Sequence, residues 1–376
     1  MSKGWIGELD LLRGVAFLGV ALQHVIGAFI RHPDISIQAA LTMGLLFNIT
    51  KFAVPAFVFV SGLVMVYRYY PRASYGPFLI KRFKDVAVPY VLWTLIYIVY
   101  FSYISTGKLT VGWWESLYKL ITGTGCYHLW FIVLIIQFYL LLPLFLALFR
   151  WIDKDEIRAI RTLAVLGAIY LALTWLSYFF VTRHAAAVDS HWIQLAIKFR
   201  DRNVLLWFLY FIGGGSAGMF LFKWRKWVRN SWAWSLVLWV ASLVWVCWEL
   251  WSGVNGNVVN LNISTSLKPS MVVFTCVSLV LVYNLSLGWA KIDNGIVKLV
   301  QSLGQYSLGA YFVHALALSL LIPFIGTVWP QFRSFSILSM FLVFGLCVLL
   351  SLAFAALVSR IPGGHWLVGE SRAGRK

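Results

Sequence analysis

Apolar residues run along this chain in blocks of about 18 to 24 with almost no charge, each bounded by a short segment rich in Arg, Lys, Gly or Pro. A helix needs about 20 mostly apolar residues to cross a bilayer, where its backbone must satisfy its own hydrogen bonds. By that measure about ten spanning helices are predicted: Leu11 to Ile30, Gly44 to Val66, Val86 to Ser105, Leu129 to Phe149, Leu163 to Val181, Val204 to Phe222, Trp232 to Trp251, Met271 to Trp289, Leu308 to Ile325 and Phe335 to Val358. The expected fold is all-α, a polytopic integral membrane protein embedded in the lipid bilayer. No internal repeat is evident, so one membrane domain is expected over 1–360, followed by a cytoplasmic tail, 361–376, too short to fold alone.

Composition agrees with the pattern. Of 376 residues 61% are hydrophobic and 12% charged, with a mean hydropathy of +0.82, which excludes an ordinary soluble domain. The formal net charge of +18 could suggest nucleic acid. Its distribution argues otherwise, because the basic residues gather in alternate loops, as cytoplasmic loops of multispanning proteins do. With the N-terminus inside, those loops hold Lys3; Arg68, Arg72, Lys81, Arg82 and Lys84; Arg150, Lys154, Arg158 and Arg161; Lys223, Arg225, Lys226 and Arg229; Lys291 and Lys298; and Arg360, Arg372, Arg375 and Lys376. Both termini are therefore expected in the cytoplasm, with no nucleic-acid partner. Met1 to Asp10 lacks the basic region and cleavage site of a secretory signal, so the first run is expected to stay as a helix. The scattered Cys126, Cys247, Cys276 and Cys347 show neither metal-ligand nor disulfide spacing, and no metal is expected.

One outer loop breaks the charge rule. Thr182 to Asn203 carries Arg183, Lys198, Arg200 and Arg202, and its His191 to Arg200 portion has the mixed pattern of an interfacial helix. A surface anchor and a basic lip for an anionic acceptor both fit it.

Candidate chemistry begins with the ionisable residues inside spans, which usually face the bundle interior or a wet cavity. Arg13 and His24 are eleven residues apart, which on a helix is three turns plus about 20° and a rise of roughly 16 Å. They therefore share a face. A neutral imidazole at His24 could accept a proton from a hydroxyl; a packed core histidine is the plainer reading. Asp10, three residues before Arg13, is placed to pair with it or to cap the helix. Lys51 is the other cation left within a span. Glu249, near the outer end of its span, is read as interfacial.

These residues carry a resemblance. Leu9 to His24, LDLLRGVAFLGVALQH, resembles the start of the membrane-bound acyltransferase 3 family, which has an Arg, ten residues and a His in its first helix. Pro55 to Tyr67 is similar to that family's second helix around a Ser-Gly step, and Phe78 to Tyr90 to its basic segment before a proline. Tyr127 to Pro143 resembles its His-Leu-Trp-Phe helix, and Leu303 to His314 its late Tyr and His segment. The order matches along the whole span region. The resemblance implies transfer of an acyl group, commonly acetyl, from cytoplasmic acyl-CoA to a hydroxyl of a cell-surface or lipid-linked glycan.

On that reading His24 and Arg13 are the expected catalytic pair. Arg82, with Lys81 and Lys84, would dock the phosphates of acyl-CoA, with acetyl-CoA the expected donor. Tyr311 and His314, one turn apart, are expected in the cytoplasmic half, away from His24, lining the donor path or packing helices. His128 and Trp130 are candidates for the acceptor site, an interfacial aromatic belt being the alternative. Ser61-Gly62 suits close helix approach. The rival class is an exporter of a polysaccharide or lipid-linked sugar that transfers no acyl group; the paired broken helices of many transporters are not evident.

Overall fold

A computed structural model describes residues 4–71, 74–109, 111–153, 155–256, 258–328 and 336–369. Lys3, Arg72, Lys154, Phe335, Arg372, Arg375, Lys376 and the expected tail beyond Gly369 lie outside them. Regular structure among the described residues is helical apart from one isolated bridge between Asn255 and Val258.

The helices from the N-terminus are α1 Glu8–Phe29, α2 Ile37–Ile49, α3 Ala53–Tyr69, α4 Tyr75–Arg82, α5 Val88–Thr106 and α6 Trp113–Thr122. They are followed by α7 Trp130–Leu140, α8 Leu142–Ile152, α9 Glu156–His184, α10 His191–Lys198, α11 Phe208–Met219 and α12 Leu221–Asn230. The last are α13 Trp232–Ser252, α14 Pro269–Trp289, α15 Gly295–Gln305, α16 Ser307–Val328, α17 Ile337–Val358 and α18 His365–Val368. The chain divides into two compact units. One comprises Met1–Ser61 and Phe220–Ala353, the other Gly62–Met219 and Phe354–Lys376.

Among the described residues eight helical stretches are long and apolar enough to cross a membrane, and α7 with α8, bent by 60°, makes up to a ninth. Length and composition together make this a multi-pass membrane protein. The bend follows from Pro143 at the start of α8, which has no N–H for the carbonyl one turn back. The predicted span Val204 to Phe222 differs from expectation. It holds a 3-10 turn, Val204–Leu206, and then α11, whose 12 residues rise only about 18 Å before a break at Phe220. Hydropathy counted its length without registering that Trp207 and Phe220 interrupt the helix.

In the first unit α1, α2, α16 and α17 pack through Leu22, Val25, Ile26, Phe29, Met43, Leu318, Leu321 and Met340, all buried. Lys291 and Lys298 are expected in a cytoplasmic loop, but Gly295–Gln305 forms an amphipathic helix, α15, capped by Asn294, whose side chain accepts from Val297 N at 2.8 Å. Its Val297 and Val300 pack with Leu11 of α1. The backbones touch: a Cβ at Gly304 would lie 1.7 Å from the Asp10 carbonyl oxygen, and one at Gly14 would lie 2.0 Å from that of Val300.

In the second unit Phe211 of α11 stacks on Phe138 of α7 at 4.5 Å and tilts against Phe145 of α8 at 4.6 Å. A Cβ at Gly62 would lie 2.1 Å from Phe211 O, so this glycine does permit close helix approach, as expected. Residues 361–369 include α18, and Trp93 of α5 donates to Leu367 O at 2.9 Å. α10 forms as the amphipathic pattern predicted and buries none of its residues. Exposed apolar side chains such as Trp175 and Leu176 of α9, or Val237 and Trp248 of α13, are what a lipid-facing surface requires.

Candidate functional site

Within the first unit α1 carries Arg13 and His24 on one stripe. Asp10 pairs with Arg13, NH1 to Oδ1 at 3.1 Å, rather than capping the helix. His24 lies against His314 of α16, the ring centroids 5.2 Å apart and the planes inclined by 32°. This corrects the expectation that His314 stands away from His24. The sequence reading started the ninth span at the membrane edge, whereas α15 already runs beside the first turns of α1. α16 begins three residues after Gly304, which rests on Asp10 in the first turn of α1, and its eighth residue meets His24.

His314 is fully buried. Its Nδ1 lies 2.6 Å from Tyr311 O, and the Tyr311 ring is 5.7 Å from the imidazole, so the two share a face as predicted. If Nδ1 carries the proton it donates to that carbonyl, and Nε2 is then left as the acceptor. Phe17 closes the other side of His314 edge-on at 6.2 Å.

A second cation lies in a turn tied to α1 at the residue before His24. α2 runs into α3 through a 3-10 turn, Thr50–Phe52. The turn has local causes: Pro55 has no N–H for the Lys51 carbonyl, and the Thr50 hydroxyl donates back to Leu46 O and Phe47 O at 3.0 Å. Gln23, next to His24, donates to Thr50 O at 2.7 Å and ties this turn to α1. Lys51 follows, half-buried, with its Nζ 4.4 Å from the centroid of the Phe47 ring. Glu249 is not merely interfacial: its Oε2 binds buried Lys268 Nζ and accepts from Ser270 Oγ, both at 2.7 Å. Lys268 precedes α14 and was visible only as a loop charge.

Sequence reasoning also missed a network at the start of α1. Buried Glu8 takes Arg225 Nε and NH2 at 2.7 Å on one oxygen, which also accepts from Tyr283 OH at 3.0 Å. Arg225 had been counted as orientation signal. Its neighbour Trp224 stacks on Trp227 at 5.2 Å, whereas Trp232 and Trp234 are exposed.

The remaining candidates lie in the second unit. Arg82 ends α4, just before a π-turn, Phe83–Ala87, that re-aims the chain into α5. Its guanidinium faces Phe78 at 5.5 Å, Tyr139 at 5.6 Å and Tyr69 at 6.0 Å, and its Nε is buried without a hydrogen-bond partner among the described residues. Lys81 pairs with Asp85 at 3.2 Å, while Lys84 is exposed. The three basic residues therefore point to different surroundings, and Arg82 alone sits in an aromatic cage.

His128 is buried, 2% exposed, edge-on to Tyr97 at 5.5 Å, while its neighbour Tyr127 is 53% exposed. Trp130 starts α7 and tilts against Trp207 at 5.7 Å. Gly123, with φ of +66°, closes the preceding turn so tightly that a Cβ there would be 2.8 Å from Trp130 Cα. Farther on, Trp207 donates to Asp201 O at 2.8 Å and Gln137 to Arg202 O at 2.7 Å, tying the Arg200–Arg202 turn to α7. Burial raises the Asp201 carboxyl above its ordinary pKa, against the pull of Arg202, which binds Oδ1 at 2.8 Å. Among the described residues no group of three His, Cys, Asp or Glu side chains could hold a metal ion.

A bundle of membrane-crossing helices with a histidine pair in one unit and a caged arginine in the other defines a membrane-embedded protein with polar chemistry inside its spans. The chain belongs to the acyltransferase 3 family, whose model, described as an acyltransferase domain, matches residues 6–360. It is similar to a probable poly-beta-1,6-N-acetyl-D-glucosamine export protein of Staphylococcus aureus (strain Mu50 / ATCC 700699), 21% identical over 344 residues, covering 91% of this chain and 90% of that protein. No solved structure gives a significant match.

Proposed function

We propose that this protein is an O-acyltransferase of the cytoplasmic membrane that moves an acyl group, acetyl in the first instance, from acyl-CoA to a hydroxyl of a cell-envelope polysaccharide. The observation that carries the reading is the pair of His24 on α1 and His314 on α16, both within the stretch that the family model matches. The polysaccharide named for the relative, a β-1,6-linked polymer of N-acetylglucosamine, is the first acceptor to try.

His24 takes the proton of the acceptor hydroxyl as its oxygen attacks the thioester carbonyl. The tetrahedral adduct then expels the coenzyme A thiolate, which recovers that proton from His24. In the alternative route His24 is itself acylated and then gives the acyl group to the hydroxyl. Single-turnover reaction with labelled donor and no acceptor separates the routes, since only the second leaves label on the protein. Arg82 is assigned to the donor phosphates, with its cage orienting the guanidinium. Arg13, three turns before His24, is assigned to donor orientation.

The test is acyl transfer in membrane vesicles supplied with labelled acetyl-CoA and the envelope glycan fraction of the expressing cells. His24→Ala is expected to abolish transfer while leaving the amount of folded protein unchanged, and undiminished transfer would overturn the assignment. The relative's name favours one other reading, export without acylation. Cells lacking the protein decide between them: exported glycan without acyl groups supports the enzyme, and fully acylated glycan held inside supports the exporter.

A further inference from the structure

We infer that Lys51 supplies the positive charge that meets the oxyanion formed when the donor thioester is attacked beside His24, an inference that rests on the acyl-transfer reading above. Acyl transfer places a full negative charge on the former carbonyl oxygen, and inside a membrane protein no bulk water is available to solvate it. A cation fixed next to the reacting atoms meets that need at no reorganisation cost.

Three other cations of the first unit are committed elsewhere. Arg13 binds Asp10 and stands about 16 Å along α1 from His24. Lys268 is paired with Glu249 at 2.7 Å, and Arg225 with Glu8 at 2.7 Å. For Lys51 no carboxylate partner exists among the described residues; its ammonium lies on the Phe47 ring face, 4.4 Å from the centroid. Such a contact holds a cation in place without neutralising it. A half-buried, uncompensated ammonium within a spanning stretch is costly, and that cost falls when negative charge arrives.

The position is built by the fold. The 3-10 turn breaks the regular helix at Lys51, Gln23 binds the turn through Thr50 O at 2.7 Å, and a Cβ at Gly19 would already be 3.0 Å from Ala53 Cβ. Lys51 thereby follows directly on a residue bound to Gln23, the neighbour of His24 on α1. In the step itself the hydroxyl proton goes to His24, the new C–O bond forms, and the π electrons move onto the carbonyl oxygen, where Lys51 hydrogen-bonds them. On collapse they return, the C–S bond breaks, and the thiolate takes the proton from His24. Lys51 keeps its own proton throughout.

The vesicle assay tests this with Lys51→Met, Lys51→Gln and Lys51→Arg, each normalised to the monodisperse folded fraction in detergent. The neutral variants are expected to lower kcat by about 10²–10³-fold, the effect of deleting one oxyanion donor, with the KM for acetyl-CoA and for the glycan fraction changed by less than about threefold. Lys51→Arg is expected to keep about a tenth of the rate or more, since it preserves the charge. A kcat close to that of the native protein in either neutral variant would overturn the inference. So would a loss confined to KM, which would mark a ground-state anion site, or a loss that merely follows the folded fraction. His24→Ala runs alongside: transfer surviving in that variant sinks the acyl-transfer reading itself, whereas its loss there with active Lys51 variants sinks this inference alone.

Discussion

Arg82 is held by its surroundings more than by charge. Three rings face its guanidinium at 5.5 to 6.0 Å, and a buried Nε is left to bind an incoming acceptor atom. A phosphate oxygen suits that donor. Removing a charged hydrogen bond of this kind costs about 1.5–3 kcal/mol, which is about 10–100-fold in affinity. Arg82→Ala should therefore raise the KM for acetyl-CoA by that range with a smaller change in kcat, measured by donor titration in vesicles. An unchanged KM would remove Arg82 from the donor site. Lys84→Ala, altering an exposed residue nearby, should change the KM far less. The basic cluster was legible in the sequence, but which member is caged was not, because neighbours on a helix point about 100° apart and only the packing of Tyr69 and Tyr139 selects Arg82.

At the scale of elements, α15 decides where the histidines meet. Its backbone rests directly on α1 at Gly304 and Gly14, and the start of α16 follows from that contact. A side chain at Gly304 must push the helices apart. Gly304→Val should destabilise the protein by about 1–3 kcal/mol or more and lower transfer at the same time, because His314 moves with α16. Gly167→Ala is the contrasting case. A Cβ there meets nothing within 4 Å, so stability should be unchanged or slightly raised by the better helix propensity of Ala. Thermal unfolding of the purified protein in detergent reads both, and equal Tm values for the two variants would contradict the packing described. Asn294 followed by apolar residues at helical spacing was a visible signal for α15. It was overlooked because an eleven-residue amphipathic helix is too short and too polar to register as a span.

For the whole molecule the open quantity is the number of crossings. Eight long stretches and the bent α7–α8 pair give nine, which would put the termini on opposite faces. We expect ten. α11 is too short to cross alone, yet Phe211, Ile212 and Ala217 are buried in its unit, and broken helices are tolerated at membrane depth where protein surrounds them. Reporter fusions at the two ends of the chain check this: both should report the cytoplasmic face, in keeping with the basic loops. Opposite faces would mean that α11 enters and leaves on one side.

The sequence by itself determined that the chain lives in a membrane, roughly where its long apolar helices lie, and that Arg13 and His24 share a face, because hydropathy and helical period are local properties. It also carried the family, through motifs spread along the chain in order. Only the tertiary structure decided that His314 stands beside His24, that Glu249 belongs to Lys268, that Glu8 gathers Arg225 and Tyr283, and that Lys51 has no carboxylate partner among the described residues. Those pairings join residues up to 290 positions apart, as His24 and His314 are. They depend on how deep each helix starts and which backbones touch, and a glycine against a carbonyl sets that depth where hydropathy cannot.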